Sequence, residues 1–548
     1  MGRFSEKPRI ARLIDANYPP PRASARLRNP VTGESMRVPA SGLLGRLGRT
    51  VAVCLLLTAC LTGGRILVGQ QIGGQQGGVG GRQGGIGGQQ GGVGGQQGGV
   101  GGQQGGGGQQ GGNTFVNAGN TPAGILIDAQ GVLRTQAVPA QQLSIAQRKA
   151  AVEGLPGDLR KKVPLRKVAL SRLEKALAEH AADGRGIPDE IEKLAGLTRV
   201  QYVFVYPAEG DTPGEVVIAG PAEPWITDPN TGRVIGAETG SPTVLLEDLA
   251  TALRAFAPGH PQDRLVGCSI DPTKEGLAAM QAFLAKTGRV NPQGGADNLV
   301  AGMKEALGEQ KVTVQGVSPA THFASVLVEA DYRMKLVGIG LEPPPVKMPT
   351  WIELASAGAV ASNALQRWYF VPDYECVKIA EDDLAIELVG RGVKLCGADE
   401  VVLADGRRLS ATKSDQASAT FTQAFTRNYA AIAARSPVYA QLRNMIDLVI
   451  AAAYMQEHDA YGKAGWAAAT LCSEQAYPVE RLTAPTRAET AIHAVWRGNR
   501  LLTPIGGGVT VHPRMALDAP NLIMDEKGAV KSAHAAAKDL PAEGWYWD

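Results

Sequence analysis

The chain lacks the short motifs that announce common chemistries. It has no Gly-x-x-x-x-Gly-Lys-Ser/Thr loop, no Gly-x-Gly-x-x-Gly after a strand, no His-Glu-x-x-His and no Cys-x-x-Cys. These absences leave no sequence basis for a P-loop nucleotide site, a dinucleotide fold, a zincin or a dithiol redox centre. Histidines 180, 260, 322, 458, 493, 512 and 534 stand singly, without the spacing that sets two ligands on one helix face, so no metal site and no cofactor is expected. Gly506-Gly507-Gly508 is followed by neither a lysine nor a helix signal, which argues against a phosphate cradle.

Long basic runs are missing as well. The formal charge is +3, but residues 1–59 carry ten Lys and Arg against Glu6, Asp15 and Glu34, so that segment holds +7 and the remainder −4. A mildly acidic remainder lacks the electrostatic footprint of phosphate-backbone binding, and nucleic acid is not an expected partner. Aromatic side chains are few, with nine Phe and seven Trp against seventy Gly in 548 residues. The glycine excess lies mainly in one block. A chain of this length is expected to hold more than one folded unit.

The apolar run at 51–59, Val-Ala-Val-Cys-Leu-Leu-Leu-Thr-Ala, has about half the ~20 residues a membrane-spanning helix needs. It follows Arg37, Arg46 and Arg49 and ends in small residues, the layout of a secretory signal. A start at Met36 rather than Met1 gives that signal an ordinary length. Its end, Leu57-Thr58-Ala59-Cys60, resembles the lipobox of bacterial lipoproteins, where the cysteine takes a diacylglyceryl thioether and becomes the first mature residue. Leu61 is not the aspartate that resembles an inner-membrane retention signal, so the outer membrane is the expected location. Ordinary cleavage leaving a free Cys60 thiol is the alternative.

From Ile72 the unit Ile-Gly-Gly-Gln-Gln-Gly-Gly recurs with near-copies at Val79, Ile86, Val93 and Val100. Glycine costs roughly 1 kcal/mol per helical residue relative to alanine, and one apolar side chain per seven residues makes no seam, so a coiled coil is excluded. Residues 60–112 read as a disordered tether with a reach of about 35–45 Å. A self-associating Gln-rich segment is the competing reading.

Beyond Asn113 strand and helix signals alternate, and the expected class is α+β. Residues 113–348 read as an α/β domain. It opens with a hairpin, Ile125–Asp128 and Val132–Arg134, turning at Gly131. A capping box at Ser171 and Glu174 predicts a helix ending near Gly184. Two strand–cap–Pro–helix units follow, Leu265–Ile270 with Asp271-Pro272 and Lys311–Gly316 with Ser318-Pro319. A returning strand at Leu336–Leu341 would make the second a βαβ crossover within a mixed sheet. Residues 349–548 read as an antiparallel meander of five strands from Trp368 to Ala404, packed with two long helices, Ser414–Ala434 and Tyr439–Gln456.

Four cysteines besides Cys60 lie past the signal. Cys376 and Cys396, on neighbouring meander strands, are the first choice for a disulfide, with buried free thiols the alternative. The best catalytic constellation is Cys268 at a strand end with His322 as base and Asp331 as its orienting group, which would make a cysteine hydrolase. His322 equally suits a first helical turn. The run Glu329-Ala-Asp331-Tyr-Arg333-Met-Lys335 reads as a solvated helix end, with a ligand cleft as the alternative. Trp351, Trp368, Tyr369, Asp373 and Tyr374 read as core positions along a strand rather than a carbohydrate platform.

The phrases Gly-Cys-Ser-Ile-Asp-Pro-Thr (267–273), Thr-His-Phe-Ala (321–324), Val-Glu-Ala-Asp-Tyr-Arg-Met-Lys (328–335), Val-Pro-Asp-Tyr-Glu-Cys (371–376) and Ser-Pro-Val-Tyr-Ala-Gln-Leu-Arg-Asn (436–444) resemble an uncharacterised family of exported proteins from planctomycete bacteria. The likeness runs from about Ala123 to Gly465. It implies export and a shared fold, and it carries no catalytic residue. The resulting expectation is a lipid-anchored envelope protein with a non-catalytic binding or structural role, held to the lipid membrane through acylated Cys60 and engaging another envelope component. The alternative is an envelope hydrolase using Cys268 and His322.

Overall fold

A computed structural model describes residues 125–135, 143–287, 296–355, 364–402, 408–410, 415–493, 495–497, 500–502, 507–541 and 543–548. The leader, Met36, Cys60 and the repeat all lie outside these residues. Every described residue belongs to one of the two units into which the chain divides, Leu67–Asp548.

The class is α+β, with two mixed sheets. The larger has nine strands in the spatial order Ile125–Ile127, Val132–Thr135, Arg487–Ala488, Gln310–Gln315, Val266–Asp271, Gly507–Val511, Ala364–Pro372, Val393–Val402 and Arg408–Ser410. Its neighbours are antiparallel except where Arg487–Ala488 meets Val132–Thr135 and where Gly507–Val511 meets Ala364–Pro372. The smaller has seven strands in the order Ile523–Met524, Val377–Ile379, Ala385–Leu388, Tyr202–Tyr206, Glu215–Ala222, Val163–Ala169 and Tyr546–Trp547.

Side-chain alternation explains how the smaller sheet is covered on both faces. Along Tyr202–Tyr206, Val203 and Val205 enter the main apolar cluster while Phe204 and Tyr206 enter a second one. Period-two alternation with apolar residues in both phases belongs to a strand buried on both sides. Val530 of the Ala529–Ala536 helix covers the second face. The main cluster joins that sheet to Val266, Ile270 and Phe370 of the larger one through two helices, His322–Gly338 and Pro437–Glu457. Both helices are buried nearly all round, charged residues of the first included. The first packs on strands Val266–Asp271 and Gly507–Val511 and on helices Leu246–Ala255 and Pro437–Glu457. Among the described residues no helix is long and apolar enough to cross a membrane.

Several sequence expectations are redrawn. The hairpin forms as read, with Gly131 at φ +74°. Both sheets take strands from either side of residue 348, so that boundary runs through shared sheets rather than between separate ones. The expected meander is divided: Ala364–Pro372 and Val393–Val402, the latter one strand where two were expected, join the larger sheet, while Val377–Ile379 and Ala385–Leu388 join the smaller; Arg408–Ser410 is a further strand of the larger sheet. The returning strand of the second βα unit is not Leu336–Leu341 but Ala364–Pro372, which runs parallel to Gln310–Gln315 in the larger sheet with Val266–Asp271 and Gly507–Val511 between them. Leu336 and Val337 continue the buried helix to Gly338, and strands Val266–Asp271 and Gln310–Gln315 pair antiparallel. Ser171 and Glu174 do not cap each other. Ser171 N and Oγ donate to Glu215 at 2.9 and 2.6 Å, and Glu174 accepts from Trp466 Nε1, Thr470 N and Leu471 N. Helix Gln416–Arg427 stops at Asn428, and Tyr429–Arg435 follows as a separate turn before Pro437.

Candidate functional site

A polar cleft of about 310 Å³ opens beside the N-terminal end of the His322–Gly338 helix. Three local structures build it. Thr321 caps that helix, its Oγ1 accepting from Ala324 N at 3.2 Å, which fixes His322 as the first helical residue. Helix Leu246–Ala255 brings Glu247 and Asp248 in its first turn, where carboxylates are favoured by the helix dipole. The hairpin of Trp225–Thr227 and Val234–Gly236 turns on Asp228, which accepts from Asn230 N and Thr231 Oγ1, with Gly232 at φ +64°, and delivers Arg233 to the floor.

Adjacent residues on a helix point about 100° apart, so Glu247 and Asp248 have different tasks. Asp248 is buried, and both its oxygens lie 3.0 Å from His322 Nδ1. Glu247 lines the cleft. Burial alone would lower the His322 pKa, but the Asp248 charge and hydrogen bond outweigh it and Glu247 adds to them, so the group is pushed up to about 9. Near neutrality His322 is therefore an imidazolium. With Nδ1 engaged, Nε2 is the ring's one nitrogen without a hydrogen-bond partner among the described residues. Burial holds Glu247 above the usual carboxylate range. His322 and Arg481 pull it down, while Asp248 and Glu192 push it further up.

The other cleft charges are mostly matched internally. Arg233, 5 % exposed, pairs with fully buried Glu329 and donates from Nε to Gln441 Oε1 at 2.6 Å. Lys193 Nζ lies 3.1 Å from Asp189 and 2.7 Å from Glu192. The Arg481 guanidinium stands over Tyr477, 5.8 Å from the ring centroid. Trp225 completes the aromatic lining.

The residues expected to form a cysteine triad are not brought together. Asp331 lies nine residues along the helix from His322, about 13–14 Å at 1.5 Å per residue. It is ion-paired with Lys335 at 3.1 Å, so the group that orients His322 is Asp248 and not Asp331. Cys268 belongs to the Asp331 end, where burial and the Asp331 charge raise its thiol pKa well above the ordinary value despite Lys335. A thiolate needs the opposite surroundings. Burial likewise pushes Asp331 up to about 6, against the pull of Lys335, whose Nζ also donates to Ile270 O at 2.8 Å.

The 329–335 run is not a solvated helix end. Glu329 and Asp331 are fully buried and Lys335 is nearly so. Glu329 sits between Arg233 and Arg333, and Arg333 reaches on to Glu342 at 2.7 Å. Cys376 and Cys396 are free thiols. Cys376 precedes a strand of the smaller sheet and Cys396 lies in a strand of the larger, so the neighbouring-strand premise for a disulfide does not hold. Trp351 and Trp368 are core residues, donating to Asp415 at 2.6 Å and Ser418 at 2.8 Å. Among the described residues no three His, Cys, Asp or Glu side chains gather as a metal site.

Sequence reasoning found His322 but not Arg233, Glu247, Asp248, Tyr477 or Arg481. The one local signal was the acidic pair Glu247-Asp248 opening an amphipathic helix.

A family model described only as a protein of unknown function (DUF1598) matches residues 268–351. The match covers a minor part of the chain. It includes Cys268, His322, Glu329 and Asp331 but not Arg233, Glu247, Asp248 or Arg481. No curated protein and no solved structure matches the chain at a significant level.

Proposed function

We propose that this is an exported, lipid-anchored envelope protein whose folded part recognises a small polar ligand in the His322 cleft without transforming it. The recognition reading rests on the charge state of the cleft. An imidazole with a pKa of about 9 is already protonated at neutral pH, so it serves as a fixed cation and hydrogen-bond donor rather than as a general base. General bases are tuned toward the working pH, and Asp248 tunes this group away from it. The sealed Cys268 thiol weighs against the hydrolase alternative.

The anchoring reading rests on the basic segment, the nine-residue apolar run and Leu57-Thr58-Ala59-Cys60. Two or more acyl chains hold a protein stably where one is marginal, and the Gly and Gln repeat would set the folded part off the membrane surface. Mass spectrometry of the mature N-terminal peptide from fractionated native cells tests this directly. An acylated Cys60 in the outer-membrane fraction is expected. An unmodified N-terminus in a soluble fraction would remove the anchor. Turnover of an acyl or peptide probe that disappears in Cys268→Ala would remove the non-catalytic reading.

A further inference from the structure

Counting charge partners around the cleft leaves two groups over. Lys193 is matched by Asp189 and Glu192, Arg233 by Glu329, and His322 by Asp248. Glu247 and Arg481 both line the cleft, and neither has an ion-pair partner among the described residues. His322 and, more weakly, Arg481 pull the Glu247 pKa down, yet Arg481 and Glu247 do not approach to ion-pair distance. A cation and a carboxylate therefore face one cavity with a gap between them.

The two ends of that gap differ in sign. On the Glu247 side, Glu192 adds its repulsion, and Glu192 already shares the single ammonium of Lys193 with Asp189. Two carboxylates on one ammonium leave surplus negative charge, which an incoming cation would relieve. On the other side stands Arg481, over the face of Tyr477 and able to donate to an anion, whereas the His322 charge acts on Glu247 more strongly than Arg481 does and is already matched by Asp248. Trp225 and Tyr477 give the cleft an apolar wall for whatever joins the two ionic ends. Its volume lies at the small end of ligand pockets, about 300–1,000 Å³.

We infer that the cleft takes a small zwitterion, an amino acid or a short peptide, with its ammonium at Glu247 and its carboxylate at Arg481. The inference rests on the recognition reading above and names the ligand class of that same site. A ligand with only one charge would fill one end and leave the other group unmatched. Partial desolvation of a group left unmatched is costly, so both ends contribute to discrimination.

Titration calorimetry on the purified full chain at pH 7 tests this with named probes: alanine, alanyl-alanine, N-acetyl-alanyl-alanine, alanyl-alanine amide and inorganic phosphate. Alanine or alanyl-alanine is expected to bind at least tenfold more tightly than either singly charged analogue, and the stronger of the two says whether the source is a free amino acid or a peptide. In Arg481→Gln, a change at an exposed position, the preference for alanyl-alanine over its amide should vanish. Glu247→Gln should remove the preference over the N-acetyl form. Equal binding of alanyl-alanine and its N-acetyl form would overturn the zwitterion assignment while leaving a recognition cleft for anions. No saturable heat from any probe, phosphate included, would remove both.

Discussion

Replacing Asp248 with Asn should invert how His322 affects stability with pH. In the native protein the His322 pKa rises from an ordinary 6.5 to about 9. The folded state thus binds a proton more tightly than the unfolded chain. That contribution is fully present below pH 6.5 and is lost as pH climbs toward 9. At 1.36 kcal/mol per unit the difference corresponds to about 3 kcal/mol, and no solvent discount applies because His322 is buried. The introduced asparagine has the same shape as the aspartate but no charge, so burial, the largest influence, then outweighs the remaining pull of Glu247 and holds the imidazole neutral. Stability of the variant should fall on going below pH 6.5 instead of being greatest there. Urea unfolding measured from pH 5.5 to 9.5 on both proteins gives the difference curve, in which other titrating groups largely cancel. The wild-type advantage should be several kcal/mol at pH 6 and should shrink steadily above pH 7. In a His322→Gln background the effect of Asp248→Asn should be nearly flat across the same range. Parallel curves for wild type and Asp248→Asn, or an NMR titration placing His322 at or below 6.5, would refute the reasoning.

Glu329→Gln leaves Arg233 buried beside a neutral partner, and breaking a buried pair from one side should cost about 3–5 kcal/mol in urea unfolding at pH 7. Gly507→Ala sets a Cβ 2.5 Å from Lys335 Cε and 2.6 Å from both Asp331 Oδ1 and the Trp368 carbonyl oxygen. Because one of those atoms is backbone, a loss of about 1–3 kcal/mol is expected by the same assay, and an unchanged midpoint would contradict the packing. Iodoacetamide at pH 8 should leave Cys268 unmodified in the native protein and modify it only in denaturant, as peptide mass spectrometry can score. It is 5 % exposed and its thiol is pushed up by burial and by Asp331.

What could be read in advance divides by the range of the interaction responsible. The hairpin at Gly131 depends on a turn and two short strands, all within one stretch of chain, and it was legible. The Ser171 and Glu174 box is an equally local pattern, yet Glu215, forty-four residues on, supplies a better acceptor and Trp466 a better donor. The strands between 364 and 402 were legible as strands, with Val393–Val402 read as two, but not as members of two sheets, because membership is decided by partners such as Tyr202–Tyr206 and Gly507–Val511. Glu329, Arg333 and Lys335 look like a solvated face for a simple reason. Charges at i, i+4 spacing suit water as well as they suit a buried network, and the deciding partner, Arg233, is ninety-six residues away.

The same distinction bears on what the family match carries. Residues 268–351 supply a helix with two different chemical ends: His322 opens onto the cleft, while Asp331 and Lys335 close over Cys268 beneath the strand that bears Gly507. The sealed end is built largely from within the matched segment. The open end is not, since Glu247, Asp248, Arg233 and Arg481 all come from outside it. A chain that shares only the matched segment would keep His322 with nothing to hold it charged, and burial would then make it a neutral core imidazole. Asp248 and Glu247, rather than the histidine, are therefore the residues whose presence in another chain would mark the same cleft.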